Sequence, residues 1–334
     1  MDTRLNKLEP YWAKGKEFLG SEYAIMGGAM SWVSEHHLVA AVSNAGGFGV
    51  LATGAMPLDI VKEEIAKIRQ MTFKPFGVNI VTMRPDIVAL IELCIQEKIS
   101  HVVLAGGVPS SSSIKQLKQE GIKVICFAPA LVFAKRLVKL GVDALVVEGT
   151  EAGGHIGPIS TMVLLQEIVP NITEVPVFVA GGIGSGISMV AALKAGASGV
   201  QLGTGLVCAH ESIAHENFKK AFIRANSRDA VSTIQIDPEF PVIPVRALQN
   251  DGTKEFMKVQ QEAIAAYRAG ELSKEDAILK IEHFWAGALR RAVIDGDVQN
   301  GSVMAGQCVG LVKGEKPVKD ILDELISEAI QLLT

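Results

Sequence analysis

Residues 177–205 read VFVAGGIGSGISMVAALKAGASGVQLGTG. Two short apolar runs, Val177–Ala180 and Gly199–Gly203, flank a stretch of helical spacing at Ile187–Ala195. A run that is apolar on both faces suits a strand buried between layers, and a strand–helix–strand order makes the two strands parallel. The same unit recurs towards the N-terminus. Further candidate strands are Tyr23–Gly27, Gly49–Ala52, Phe76–Ile80, His101–Ala105, Lys123–Ala128 and Ala144–Glu148. Candidate helices between them are Glu35–Asn44, Leu58–Gln70, Pro85–Glu97, Ser112–Glu120, Leu131–Lys139 and Thr161–Ile168. Eight alternations indicate the α/β class and a (β/α)8 TIM barrel. A doubly wound sheet is the runner-up, but it would show one dominant glycine-rich turn after its first strand.

Glycine is unevenly spread. Of 33 glycines, 25 lie before residue 207, with doublets at 27–28, 46–47, 106–107, 153–154 and 181–182. Glycine is kept where the backbone needs positive φ or close approach to something. Four of the doublets follow strands, and strand C-termini in a barrel meet at the face that carries active sites. The first 206 residues therefore carry a ligand site.

After Thr204 the pattern changes. Glu211–Ala225, Glu255–Ala269 and Ser273–Ile294 read as helices, with an irregular linker from Asp237 (DPEFPVIP). Gly301–Gly310 is glycine-rich again, and residues 317–333 form a closing amphipathic helix. The expected organisation is a barrel of residues 1–211 and 301–334 with a small, mostly helical second domain of 212–300 as a lid.

The net charge of −4 argues against nucleic-acid and anionic-membrane binding. The four cysteines form no C-x-x-C pair, so neither a disulfide framework nor a zinc site is expected. The N-terminus lacks a signal-peptide apolar segment, and no run is long enough to span a membrane. A cytoplasmic location is the expectation.

Several residues carry candidate chemistry. Gly181, Gly182, Gly203 and Thr204 lie in the loops after strands seven and eight, which in barrels form a phosphate site from backbone N–H groups. The alternative is two tight turns without a ligand. His155 stands in a glycine-rich loop after strand six, EGTEAGGHIG, where histidine serves as general acid or base, or simply bonds its own loop. His36, His37, His101, His210, His215 and His283 read as structural. Asn79 can present its amide to a ring or cap a turn. Gly27 and Gly28 can lie against a flat ring, with Met30 and Trp32 as apolar neighbours or core residues. Glu148 and Glu151 can bind a cation, orient their loop or simply lie at the surface, Glu151 above all. No metal site is read from spacing.

MGGAMSW, NAGGFGVL, KPFGVNI, EGTEAGGHIG, VPVFVAGGIGSG, GVQLGTG, PVRALQN and GSVMAGQCVGL together resemble a family of FMN-dependent barrel enzymes. That family includes enoyl-acyl-carrier-protein reductase II and the nitronate monooxygenases, and the likeness runs from about residue 20 to 330. It implies FMN at the C-terminal face, with its phosphate on Gly181, Gly182, Gly203 and Thr204. Its ring would contact Gly27, Gly28 and Asn79, with Met30, Glu148, Gly154, Met304 and Gln307 also at the cofactor. His155 matches the family's active-site histidine. The family commonly has Gly-Thr-Arg-Phe where this chain has Gly203-Thr-Gly-Leu, and Ala29 is an insertion before Met30.

EAGGHIG and GDVQNGSVMAGQ resemble the reductase more closely. The resemblance therefore implies NADH- or NADPH-dependent reduction of a trans-2-enoyl thioester in fatty acid synthesis. Oxidation of alkyl nitronates with O2 is the alternative, and quinone reduction a third reading. Expected partners are a small-molecule or acyl-thioester substrate, acyl carrier protein as its carrier, and a second copy in a homodimer.

Overall fold

The computed structural model describes residues 3–240 and 243–333; Pro241 and Val242 of the linker, and the side chains of Thr3, Arg4, Glu282, His283 and Ala286, lie outside the described residues. Eight parallel strands form a nearly closed barrel: β1 (Ile25–Gly27), β2 (Gly49–Ala52), β3 (Phe76–Val81), β4 (His101–Ala105), β5 (Lys123–Phe127), β6 (Ala144–Glu148), β8 (Val177–Ala180) and β9 (Gly199–Leu202). Their order round the sheet is β1-β9-β8-β6-β5-β4-β3-β2. The seam between β1 and β2 is held by Phe48 N–H to Ile25 C=O at 2.8 Å and Gly27 N–H to Phe48 C=O at 2.9 Å. The interposed β7 (Gly154–His155) belongs to a second sheet, of order β10-β11-β7, with β10 (Ala230–Ser232) and β11 (Val245–Leu248).

The barrel helices are α2 (His36–Asn44), α3 (Leu58–Met71), α4 (Ile87–Gln96), α5 (Ser111–Gln119), α6 (Leu131–Lys139), α7 (Thr161–Ile168) and α8 (Gly186–Lys194). Sequence reading overlooked α1 (Glu9–Leu19), whose Trp12 and Leu19 are buried. The Phe18 carbonyl at its end accepts a hydrogen bond from His101 Nε2 at 2.9 Å, so α1 lies over the N-terminal ends of the strands. The short α9 (Thr204–Val207) follows β9, and α13 (Val318–Leu332) packs on α8. Among the described residues no helix is long and apolar enough to cross a membrane.

The segment 212–300 holds α10 (Glu216–Arg224), α11 (Asp251–Arg268) and α12 (Lys274–Val293). It is not all helical, because β10 and β11 also come from it. Phe218 and Phe222 of α10 join the main barrel core. Helices α11 and α12 build a separate core around Phe256, Ile264, Ile281 and Trp285. Met304 packs against both cores.

Candidate active site

The strand C-termini converge on a set of glycine-rich loops. The loop after β6 is held at both ends. Glu151 accepts from the Thr161 backbone N–H at 2.8 Å and so caps α7. Its own carbonyl accepts from Gln307 N–H at 2.9 Å. A Cβ at Gly153 would sit 2.6 Å from the Gly306 nitrogen, so these two backbones touch only because neither carries a side chain. Gly306 N–H in turn donates to the Thr204 hydroxyl at 2.9 Å. The C-terminal segment is thus pinned between the loops after β6 and β9.

His155 emerges from this frame on β7, exposed at the rim. It is opposite Val245 of β11, and Gly154 is opposite Arg246. Arg246 is 7% exposed. Its Nε donates to the Thr150 carbonyl at 2.8 Å and its Nη1 to the Ala230 carbonyl at 2.6 Å. A buried arginine that serves backbone carbonyls binds the histidine loop to the second sheet. This residue belongs to the PVRALQN motif, where a lone charge inside an apolar strand run is the signal that marks it.

Beside the β6 loop, Gly181 and Gly182 have φ of +87° and +77°. A Cβ at Gly181 would lie 2.9 Å from the Gly149 carbonyl oxygen, so the turn after β8 accepts glycine alone. Next to it, Gly28 N–H donates to Leu202 C=O at 2.7 Å, and the Met30 sulfur lies 3.8 Å from where a Gly203 Cβ would stand. The Ala29 insertion therefore still leaves Met30 against the β9 loop. The Met304 sulfur lies 3.5 Å from the Cβ position of Gly154. The structure thus gathers Gly28, Met30, Gly154, Gly181, Gly182, Gly203, Thr204, Met304 and Gln307 in one continuous rim. Gly27 ends β1, and its N–H closes the barrel seam.

Asn79 and Glu148 stand elsewhere on the mouth. Asn79, on β3 across the barrel from β8, is buried and donates to the Val103 carbonyl at 3.1 Å; it joins neighbouring strands and does not cap a turn. Glu148 ends β6 and lines a cavity of about 290 Å³. Burial pushes its pKa up to about 7. Gln201, on β9 beside Gly28, is a further buried polar side chain that sequence reading passed over. Trp32 faces the second core's helices, with the Arg290 guanidinium 5.8 Å from its ring centre. His101 is structural, and burial pushes it down to about 4.

The glycine loops after β8 and β9 would suit the phosphate of a cofactor. The N-terminus of α8 is already occupied, because Glu328 accepts from Gly186 N–H at 2.7 Å. The first N–H groups of α9 have no intrahelical acceptor, and a Cβ at Gly205 would meet nothing within 4 Å. Gly182, Gly203 and Thr204 could therefore take the phosphate without α8. Crowding therefore does not demand glycine at position 205.

The proteins that this chain matches are oxidoreductases, and it is a flavin-type oxidoreductase of their family. The chain belongs to the nitronate monooxygenase family, whose model matches residues 14–92 and 86–328. That family is flavin-dependent in general. The chain is 30% identical to a (3aS,4S,5R,7aS)-5-hydroxy-7a-methyl-1-oxo-octahydro-1H-indene-4-carboxyl-CoA dehydrogenase of Mycobacterium tuberculosis, over 94% of this chain and 95% of that one. It is 29% identical to a nitronate monooxygenase of Paraburkholderia phytofirmans, over 94% of each. Among solved structures, FabK from Thermotoga maritima matches with a TM-score of 0.85 and 36% identity, over 95% of this chain and 96% of that one.

Proposed function

We propose that the protein binds FMN and uses NADH or NADPH to reduce the α,β double bond of an enoyl thioester. The carrying observation is the 36% identity to FabK, an enoyl-acyl-carrier-protein reductase II, over nearly the whole of both chains. The relative at 30% identity is also named for an acyl thioester, a carboxyl-CoA. In this reading Gly181, Gly182, Gly203 and Thr204 hold the phosphate. Gly27, Gly28, Met30, Asn79 and Glu148 border the ring. Gly154, Met304 and Gln307 close the rim from the β6 loop and the C-terminal segment.

Bound FMN supplies the hydride relay between nicotinamide and the β-carbon. His155 donates the proton to the α-carbon, and its loop is fixed by Arg246 and Glu151. Residues 212–300 act as a lid over a barrel of 1–211 and 301–334, and Trp32 meets the lid at Arg290. Acyl carrier protein is the proposed carrier, and a cytoplasmic homodimer the proposed setting.

The second reading is nitronate oxidation, favoured by the family model and by the rim position of His155, which would then act as base towards a nitroalkane to form the nitronate. The deciding experiment is anaerobic mixing of the purified flavoprotein with NADH, NADPH and an alkyl nitronate, followed by flavin absorbance. The reductase reading requires bleaching by a nicotinamide and reoxidation by an enoyl thioester. Bleaching by nitronate alone overturns it.

A further inference from the structure

Two histidines and two carboxylates meet at the start of α2, away from the glycine loops after β6, β8 and β9. Glu35 precedes the helix, His36 and His37 open it, and Glu64 reaches them from α3. The His36 Nδ1 stands 2.6 Å from a Glu64 carboxylate oxygen and 2.7 Å from a Glu35 oxygen. The His37 Nδ1 stands 3.1 Å from that same Glu35 oxygen. Ligand atoms of Glu35, His36 and His37 all lie within 4.8 Å of one another. Both glutamates are buried, and the His37 side chain is half exposed.

Ion pairing between rings and acids does not account for this convergence. A ring Nδ1 carries one hydrogen at most, which can point at one oxygen. Three nitrogen–oxygen contacts are thus served by two hydrogens at most, and His36 Nδ1 faces two carboxylates at once. Lys67 approaches Glu64 at its other oxygen, at 3.0 Å, and so stays outside the cluster. The backbone aims both acids inward. The His36 N–H donates to Glu64 at 2.9 Å, and the His37 N–H donates to both Glu35 oxygens at 3.1 Å. Carboxylates held in this way beside imidazole nitrogens have the build of an oriented ligand shell.

We propose that Glu35, His36, His37 and Glu64 form a binding site for a divalent transition metal, with Zn2+ as the ion. The inference stands apart from the flavin reading. Two imidazoles and two carboxylates make a four-coordinate shell that suits Zn2+, whereas Ca2+ and Mg2+ take shells of oxygen. Bonds of about 2.0–2.2 Å set tetrahedral ligand atoms about 3.4 Å apart. The present contacts need to open by less than about 1 Å, within reach of side-chain rotation. Each ring binds through Nδ1 with its hydrogen on Nε2, and the half-exposed His37 leaves the ion a way in. The ion would tie the loop after β1 to α3. Ser34, next to Glu35, accepts from the Met30 N–H at 3.0 Å and donates to the Gly28 carbonyl at 2.7 Å. Spacing along the chain does not show such a site, because Glu64 comes from the next helix.

The test strips the full-length protein with EDTA, desalts it, and titrates it with Zn2+ against a chromogenic chelator. Wild type should bind one equivalent at this site. With free Zn2+ at about 100 times Kd, Tm should rise by about 4 °C. Mg2+ at the same concentration should leave Tm unchanged. His36→Gln, His37→Gln and Glu64→Gln should each weaken Zn2+ binding at least about tenfold and remove the rise in Tm. His37→Gln alters a half-exposed side chain, so the fold survives it and the comparison stands. His210→Gln, at an exposed histidine outside the cluster, should bind as wild type does. Failure of wild type to bind an equivalent overturns the proposal. So does Zn2+ binding by His36→Gln and His37→Gln as tight as that of wild type, which would place the ion elsewhere.

Discussion

Replacing Arg246 with methionine tests how the histidine loop is held. Methionine keeps much of the apolar stem and removes every donor. The carbonyls of Thr150 and Ala230 then lose partners now at 2.8 and 2.6 Å. The contact from Nη2 to the Thr150 hydroxyl, at 3.5 Å, adds little. Each buried acceptor left unsatisfied costs about 1–3 kcal/mol. Relief of the buried charge offsets part of this, and burial already holds the Arg246 pKa below its ordinary value. A net loss of about 2 kcal/mol follows. For a chain of 334 residues, an unfolding entropy of about 2.1 cal/mol/K per residue converts this to a fall in Tm of about 3 °C. The loss is local in origin. Hydrogen exchange should therefore quicken at Ile156, whose N–H now donates to Pro244 C=O at 2.9 Å, while the barrel strands stay protected. Turnover should drop at least about tenfold with flavin retained. An unchanged exchange rate in the 150–157 loop, with Tm within about 1 °C of wild type, would refute the assignment.

Other consequences follow from the same geometry. His155→Gln should keep flavin and lose about 100-fold or more in turnover with the thioester substrate, the scale of a general acid, checked by steady-state kinetics. Gly182→Ala forces a side chain into a backbone at φ +77° and within 3.2 Å of Glu151 Cβ; flavin content of the purified protein should fall sharply. Burial lowers the pKa of His101 from 6.5 to about 4. The unfolded chain therefore takes up this proton first, and stability should decline as pH drops from about 6.5 to about 4, a slope that His101→Gln removes in urea titrations. At Glu64 burial opposes the charge, but hydrogen bonds from the His36 N–H and ring and from Lys67 outweigh it and hold the pKa below 4.5. Its contribution is present above that value and lost as pH falls through the lower folded one, so Glu64→Gln should flatten the acid limb of the stability curve.

Much of this was legible along the chain. The eight barrel strands appear within two residues of their expected ends, because fully buried parallel strands are continuous apolar runs stopped by glycine. The address of the mouth was legible too, since positive φ at Gly181 and Gly182 and the close approach at Gly153 demand glycine. Period and glycine placement are local properties, so one sequence suffices to show them.

The rest depends on residues far apart in sequence. Strands β10 and β11 are three and four residues long, too short for a clear period, and they exist by pairing with each other and with His155. That the first N–H of α8 is already taken depends on Glu328, 142 positions from the Gly186 N–H it accepts from. Arg246 reads as an ordinary charge until Thr150, 96 positions away, is placed against it. Glu148 reads as a loop acid until the apolar side chains of β5 and α6 are placed beside it. Local pattern decides which segments become strands and which turns need glycine. Partnership and dielectric depend on what the fold brings alongside, and only the tertiary structure assigns those.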